Sequence, residues 1–194
     1  MDSKTVFLNA CQAIDNQLEG FKIYEKGQRL KKVACDKDIF FEITFQSYWI
    51  QTLVPVGKGA EGFDVSSNGK ELWMAKPDGH IAIVDLEKRE IISEIDTKVL
   101  GLHRLKFTPD GKYICIVSVK TGELLFYDSK TRIEVKKINA GQGAEMLMDK
   151  EKKRLFMSCT PNNSVSVIDL KSMEVIQKLD IGGRPDGLTI AEVQ

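Results

Sequence analysis

Residues 54–75 read VPVGKGAEGFDVSSNGKELWMA, and three later runs align beneath them: IDTKVLGLHRLKFTPDGKYICIV from Ile95, INAGQGAEMLMDKEKKRLFMSC from Ile138 and LDIGGRPDGLTIA from Leu179. Ile95, Ile138 and Leu179 lie 43 and 41 residues apart, and the Asp that follows an alternating apolar run recurs with the same spacing at Asp85, Asp128 and Asp169. A fixed period of this size means one supersecondary unit stacked on copies of itself.

The unit is legible from its internal alternation. Each copy holds a short apolar stretch (Phe63 to Val65, Leu105 to Phe107, Met146 to Met148), a turn, and a second stretch (Leu72 to Ala75, Tyr113 to Val117, Leu155 to Cys159). The turns are Asn68-Gly69, Asp110-Gly111 and a degenerate Glu151-Lys152. Asn-Gly and Asp-Gly between alternating apolar residues are strong hairpin signals, because those residues tolerate positive φ. Two further turns open strands at Ile81 to Val84, Leu124 to Tyr127 and Val165 to Ile168, and at Glu90 to Ile95, Ile133 to Ile138 and Glu174 to Leu179. Four strands per copy with no helical period predict an all-β chain of four-stranded antiparallel blades, the unit of a β-propeller.

The strings VPVGKGAEGFDVSSNGKELW, LKFTPDGKYICIV and SVSVIDLKSMEVIQKLDIGGRPDG resemble the YVTN-type repeat, also known as the surface-layer-protein or lactonase-like repeat of seven-bladed propellers. The resemblance covers residues 54–191, three blades plus the first strand of another. It departs at Lys98-Val99-Leu100-Gly101, where the family has a Val-Gly turn, and at Lys150-Glu151-Lys152, where it has Pro-Asp-Gly. It implies either a scaffold or, in the lactonase-like branch, a hydrolase.

Residues 1–53 are expected to be degenerate or partial blades. Phe41-Glu42-Ile43-Thr44 aligns with Ser166-Val167-Ile168-Asp169, which makes residues 39–53 two outer strands, and Val6 to Val33 resembles a partial blade. A helix over Lys4 to Lys32 is the rival reading, since Phe7, Cys11, Ile14 and Leu18 follow helical spacing. Gly20 and Gly27 weigh against it.

A seven-bladed ring needs roughly 290 residues, and the chain has 194. The expectation is four to five blades of an incomplete seven-bladed ring. A fragment, or self-association that completes the ring, is favoured over closure with four blades. Lys plus Arg equals Asp plus Glu at 28 each, so no net field draws nucleic acid or an anionic membrane. No apolar run reaches membrane-spanning length. MDSKTVFLNAC lacks the apolar core of a leader, which implies a cytoplasmic chain if complete and a periplasmic or extracellular one if a leader was lost.

Four cysteines, Cys11, Cys35, Cys115 and Cys159, show no Cys-x-x-Cys spacing, and no cofactor or metal is expected. Gly57-Lys58-Gly59-Ala60-Glu61-Gly62 satisfies G-x-G-x-x-G. It opens a strand rather than a helix, so it lacks the amide array that cradles a pyrophosphate. Asp85, Asp128 and Asp169 are read as Asx-turn residues.

The candidate site lies at the entry to the innermost strand, where the alignment puts Glu61, His103, Glu145 and Asp186 at one position with Arg104 and Arg184 alongside. In a propeller this strand lines the central channel, so these groups would converge at one mouth and bind a small polar ligand, a protein partner or a metal, or share acid and base roles. The functional expectation is a non-enzymatic scaffold or binding module. The alternative is a lactonase-like hydrolase, or a metal- or ligand-binding propeller, using the same residues.

Overall fold

The structure, a computed structural model, describes residues 6–8, 20–33, 42–149, 151 and 153–191, with side chains from residue 53 onward. The chain divides into two compact units, Met1–Val56 and Gly57–Gln194.

In the first unit, β1 (Val6–Leu8), β2 (Gly20–Val33) and β3 (Glu42–Pro55) form an antiparallel sheet in that order. Gly20 pairs with Pro55 and Val33 with Glu42, an unbroken hairpin of two 14-residue strands. Residues 20–32 are therefore strand and not helix, while 9–19 lie outside the described residues. The two outer strands expected over 39–53 are one continuous strand from residue 42. EITFQSYWIQTLV contains no Gly, Pro, Asn or Asp to break it.

The second unit holds three consecutive four-stranded blades. Blade 1 is β4 (Gly62–Val65), β5 (Glu71–Ala75), β6 (His80–Asp85) and β7 (Glu90–Asp96). Blade 2 is β8 (Leu102–Phe107), β9 (Tyr113–Ser118), β10 (Glu123–Asp128) and β11 (Glu134–Asn139). Blade 3 is β12 (Gly143–Asp149), β13 (Arg154–Cys159), β14 (Ser164–Asp169) and β15 (Glu174–Asp180). Each is an antiparallel meander with strands in sequence order, as the repeat predicts. The inner strand β8 lies against β4 on one side and β12 on the other.

Burial follows from blades stacking face to face. The middle strands are covered on both sides, so ELWMA and HIAIVD read as near-continuous buried runs. Between blades 1 and 2, Trp73, Ile81 and Ile83 pack with Leu105, Phe107, Ile114, Ile116 and Leu125. Trp73 and Phe107 meet edge to face, with centroids 6.0 Å apart and an interplanar angle of 74°. The alternate residues of β9 and β10, Cys115, Val117, Leu124 and Phe126, point the other way and pack with Met146, Leu155, Met157 and Cys159 of blade 3. The outer strands are charged and exposed, which blunts a free sheet edge. Each outer pair carries a bulge at the same place, leaving Ile92, Val135 and Ile176 as exposed extra residues.

The turns explain why the repeat tolerates sequence drift. Asp85 Oδ1 accepts the N–H groups of Glu87 (2.9 Å) and Lys88 (2.8 Å), and Asp128 and Asp169 repeat the arrangement with Lys130 and Thr131, and with Lys171 and Ser172. These Asp residues close Asx turns, as read from the sequence. Backbone hydrogen bonds, from Thr131 to Asp128 and from Ser172 to Asp169, hold both carboxyls below the usual range. The Asn-Gly turn is different from the primed hairpin its dipeptide suggests. Gly69 N–H donates to Ser66 O at 2.8 Å with φ +70°, while Asn68 is not left-handed. Asn68 Oδ1 instead accepts Lys70 N–H at 3.0 Å, and Asp110 does the same for Lys112 at 3.1 Å.

Candidate functional site

The site is built at the start of the inner strands, and sheet register decides which residues share a level. Gly62 pairs with Ala75 and Arg104 with Val117, so Gly62 and Arg104 are equivalent. His103 is the bulge residue between Leu102 and Arg104, the counterpart of Glu61 one step before Gly62. In blade 3, Glu145 pairs with Ser158, and the bulge residue is Ala144. Glu145 therefore stands level with Arg104 rather than with His103. The third copy is one residue shorter before its first turn, which moves the alignment by one position.

That offset places opposite charges side by side. His103 Nε2 lies 2.7 Å from Glu61 Oε2. Arg104 Nε donates to Glu145 Oε2 at 3.3 Å, and its NH1 lies 3.7 Å from Glu61 Oε2. The four residues form one chain of charge across three blades: Glu145, Arg104, Glu61, His103. Their side chains are between about a quarter and a half exposed, His103 at 24% and Glu61 at 47%. His103 Nδ1 is buried without a hydrogen-bond partner among the described residues. Leaving such an atom unpaired costs about 1–3 kcal/mol.

Blade 1 accommodates this cluster by having no side chain at the shared level. A Cβ on Gly62 would come 2.0 Å from His103 O and 2.6 Å from Arg104 Cα. Glycine is required here so that β8 can approach β4. The other two glycines of the G-x-G-x-x-G string, Gly57 (φ +94°) and Gly59 (φ +70°), have left-handed backbone and lead into β4, not into a helix. The string is a turn between strands, and no phosphate cradle forms from it.

Two of the expected site residues contribute no side chain to the cluster among the described residues. Arg184 and Asp186 follow β15 with exposed side chains, and what Asp186 contributes inward is its backbone carbonyl, which accepts Ser158 Oγ–H at 2.5 Å. Thr160 Oγ1 donates likewise to Pro185 O at 2.5 Å. Ser158 Oγ also accepts Glu145 N–H at 3.1 Å, so one buried hydroxyl links Asp186 to the cluster through main chain. Nothing in the spacing of Ser158 marks it for that role.

Among the described residues no group of three or more His, Cys, Asp or Glu is arranged to hold a metal ion. No hydroxyl or thiol is hydrogen-bonded to His103 among them. Cys115 and Cys159 are buried free thiols, and burial pushes the Cys115 thiol strongly up. No helix among the described residues is long and apolar enough to cross a membrane.

No protein-family model matches the chain. It is similar to the uncharacterized protein YncE of Salmonella typhimurium and of Salmonella typhi, 24% identical over 144 residues that make up 72% of this chain and 41% of each relative. The chain thus spans about two fifths of the length of the curated relatives it matches. Among solved structures, hydrazine synthase of Kuenenia stuttgartiensis superposes with a TM-score of 0.63 at 15% identity, covering 90% of this chain and 52% of that one. The β-propeller domain of Myceliophteria thermophila Cps50 (Swd1) gives 0.63 at 10%, covering 86% and 54%. The WD40 repeats of RRP9 give 0.56 at 13%, covering 62% and 38%. At these identities the likeness is one of fold: the chain has β-propeller architecture, and a partial propeller fits it.

Proposed function

We propose that this chain is a non-enzymatic propeller module that binds a small polar ligand or the polar tip of a protein partner where its inner strands begin. The observation that carries the reading is His103. Its Nε2 is tied to Glu61 at 2.7 Å while its buried Nδ1 is unpaired. A turn of the ring would bring that buried Nδ1 out to a ligand hydroxyl or amide, and Arg104, shared between two carboxylates, could turn to an acidic group on the same ligand. The resemblance to YVTN-type repeats and the similarity to YncE support a propeller role without naming a ligand. The neighbours of like fold include both the WD40 repeats of RRP9 and hydrazine synthase, so the fold does not choose between binding and catalysis.

Lactone hydrolysis is the second reading, and the close pairing of His103 with Glu61 is what favours it, as a base with its orienting carboxylate. The test screens hydroxy acids, sugars, amino acids and lactones against isotope-labelled protein. Binding should perturb the His103 ring resonances and disappear in His103→Gln and Glu145→Gln, with no turnover of any lactone. Turnover lost in His103→Gln would favour hydrolysis; no perturbation by any compound would overturn the binding reading.

A further inference from the structure

The repeat places two equivalent grooves at the opposite ends of the inner strands from the cluster, and they differ in one informative way. Between blades 1 and 2 the groove, about 330 Å³, is satisfied from within. Arg132 NH2 donates to Glu71 Oε1 at 3.0 Å, and Trp73 Nε1 donates to Glu71 Oε2 at 2.9 Å. Between blades 2 and 3 the corresponding groove, about 290 Å³, has neither partner. Sheet register puts Tyr113 where blade 1 has Glu71, since both pair with the Asp that closes the third strand. Met173 stands where blade 2 has Arg132, both left-handed with their N–H on that Asp carbonyl. An internal ion pair has been replaced by apolar groups.

The cations of the second groove feel nearby carboxylates only at longer range, Lys112 from Asp128 and Asp110 and Lys171 from Asp169. Lys112, Lys153 and Lys171 line it, over a floor that includes Pro109, Tyr113 and Leu170. None of the three ammonium groups forms an ion pair among the described residues. Lys112 Nζ instead rests 4.8 Å from the Tyr113 ring centroid. The carboxylates nearby are engaged in turns: Asp110 accepts Thr108 Oγ1–H at 2.6 Å and Lys112 N–H, while Asp128 and Asp169 accept turn amides.

We infer that the groove between blades 2 and 3 binds a small organic phosphate, its dianionic head held by Lys112, Lys153 and Lys171 and its flat apolar body resting on Tyr113, Pro109 and Leu170. A compact dianion suits three mobile ammonium groups as point-charge partners. The volume suits a ligand of one ring, at the small end of protein ligand sites. The net neutrality of the chain does not oppose this, because the three positive charges in this concavity outnumber the one carboxylate that lines it, Asp110.

The test is calorimetric titration of the full chain with phenyl phosphate, phenol and inorganic phosphate at low salt. Phenyl phosphate should bind tightest of the three, and more weakly as salt is raised. Lys153→Gln with Lys171→Gln should weaken it about tenfold or more, roughly the loss of 1.4 kcal/mol. Lys130→Gln, in the neighbouring groove, should leave it unchanged. So should His103→Gln, which separates this site from the cluster on the other rim. Absence of phenyl phosphate binding, equal affinity for inorganic phosphate, or an unaltered affinity in the double variant would each overturn the assignment.

Discussion

Asp64 of β4 reaches across the seam between blades 1 and 2 and accepts the Phe107 N–H of β8 at 2.9 Å, while its other oxygen accepts Val65 N–H at 3.0 Å. Adjacent blades do not share a hydrogen-bonded sheet, so this side chain supplies a polar tie to the main chain of the next inner strand, beyond the pairing of Glu61 with His103 and Arg104 where the strands begin. Replacing Asp64 by Ala leaves the Phe107 amide unpaired beside a buried ring. The expected loss is about 1–3 kcal/mol, read as a lower urea midpoint with unchanged slope, and Asp64→Asn should recover part of it.

Gly62 carries a steric demand. Its missing Cβ would overlap the β8 backbone at His103 and Arg104, and backbone cannot swing aside as a side chain can. Gly62→Ala should destabilise by about 1–3 kcal/mol or more and should shift the His103 and Arg104 amide resonances. Gly69→Ala, where nothing lies within 4 Å of the added carbon, should act only through its φ of +70° and cost less.

The Asx turns predict the direction of acid sensitivity. Asp128 and Asp169 have folded pKa values below their unfolded ones, so each adds stability above the unfolded value, near pH 4, that is lost as pH falls through the folded value. The urea midpoint of the parent should therefore fall between about pH 5 and pH 2. In Asp128→Asn with Asp169→Asn the turn acceptor remains but no longer titrates, and the fall should be smaller.

Cys115 should be inert while the protein is folded. It is fully buried between blades 2 and 3, and burial disfavours its thiolate, the reactive form. Alkylation followed by peptide mapping should find it unmodified under native conditions and modified in denaturant. Rapid native labelling would show that the seam between the blades opens.

Much of the architecture was written in the residues themselves. The recurrence of Asp85, Asp128 and Asp169, and apolar stretches of three to six residues between turns, specify three meanders, because a side-chain period of two and a turn every few residues admit little else. The Asx role of those aspartates was equally local. The Asn68-Gly69 turn was legible as a turn but not as a type, since Gly and Asn both suit several geometries and the strand twist selects among them.

The sites were only half legible. Glu61, His103 and Arg104 could be placed together by counting along the repeat, but the level of Glu145 depends on a one-residue difference before a turn, and register along a strand is fixed by pairing. The exchange of Glu71 and Arg132 for Tyr113 and Met173 was likewise invisible as a groove, because these positions are far apart in sequence and meet only when blades stack. The sequence by itself determined the repeat, its strands and its turn residues, all set by local stereochemistry and periodicity. Only the tertiary structure decided which charges touch, because neighbouring blades pack through their faces and nothing local in the chain encodes their mutual level.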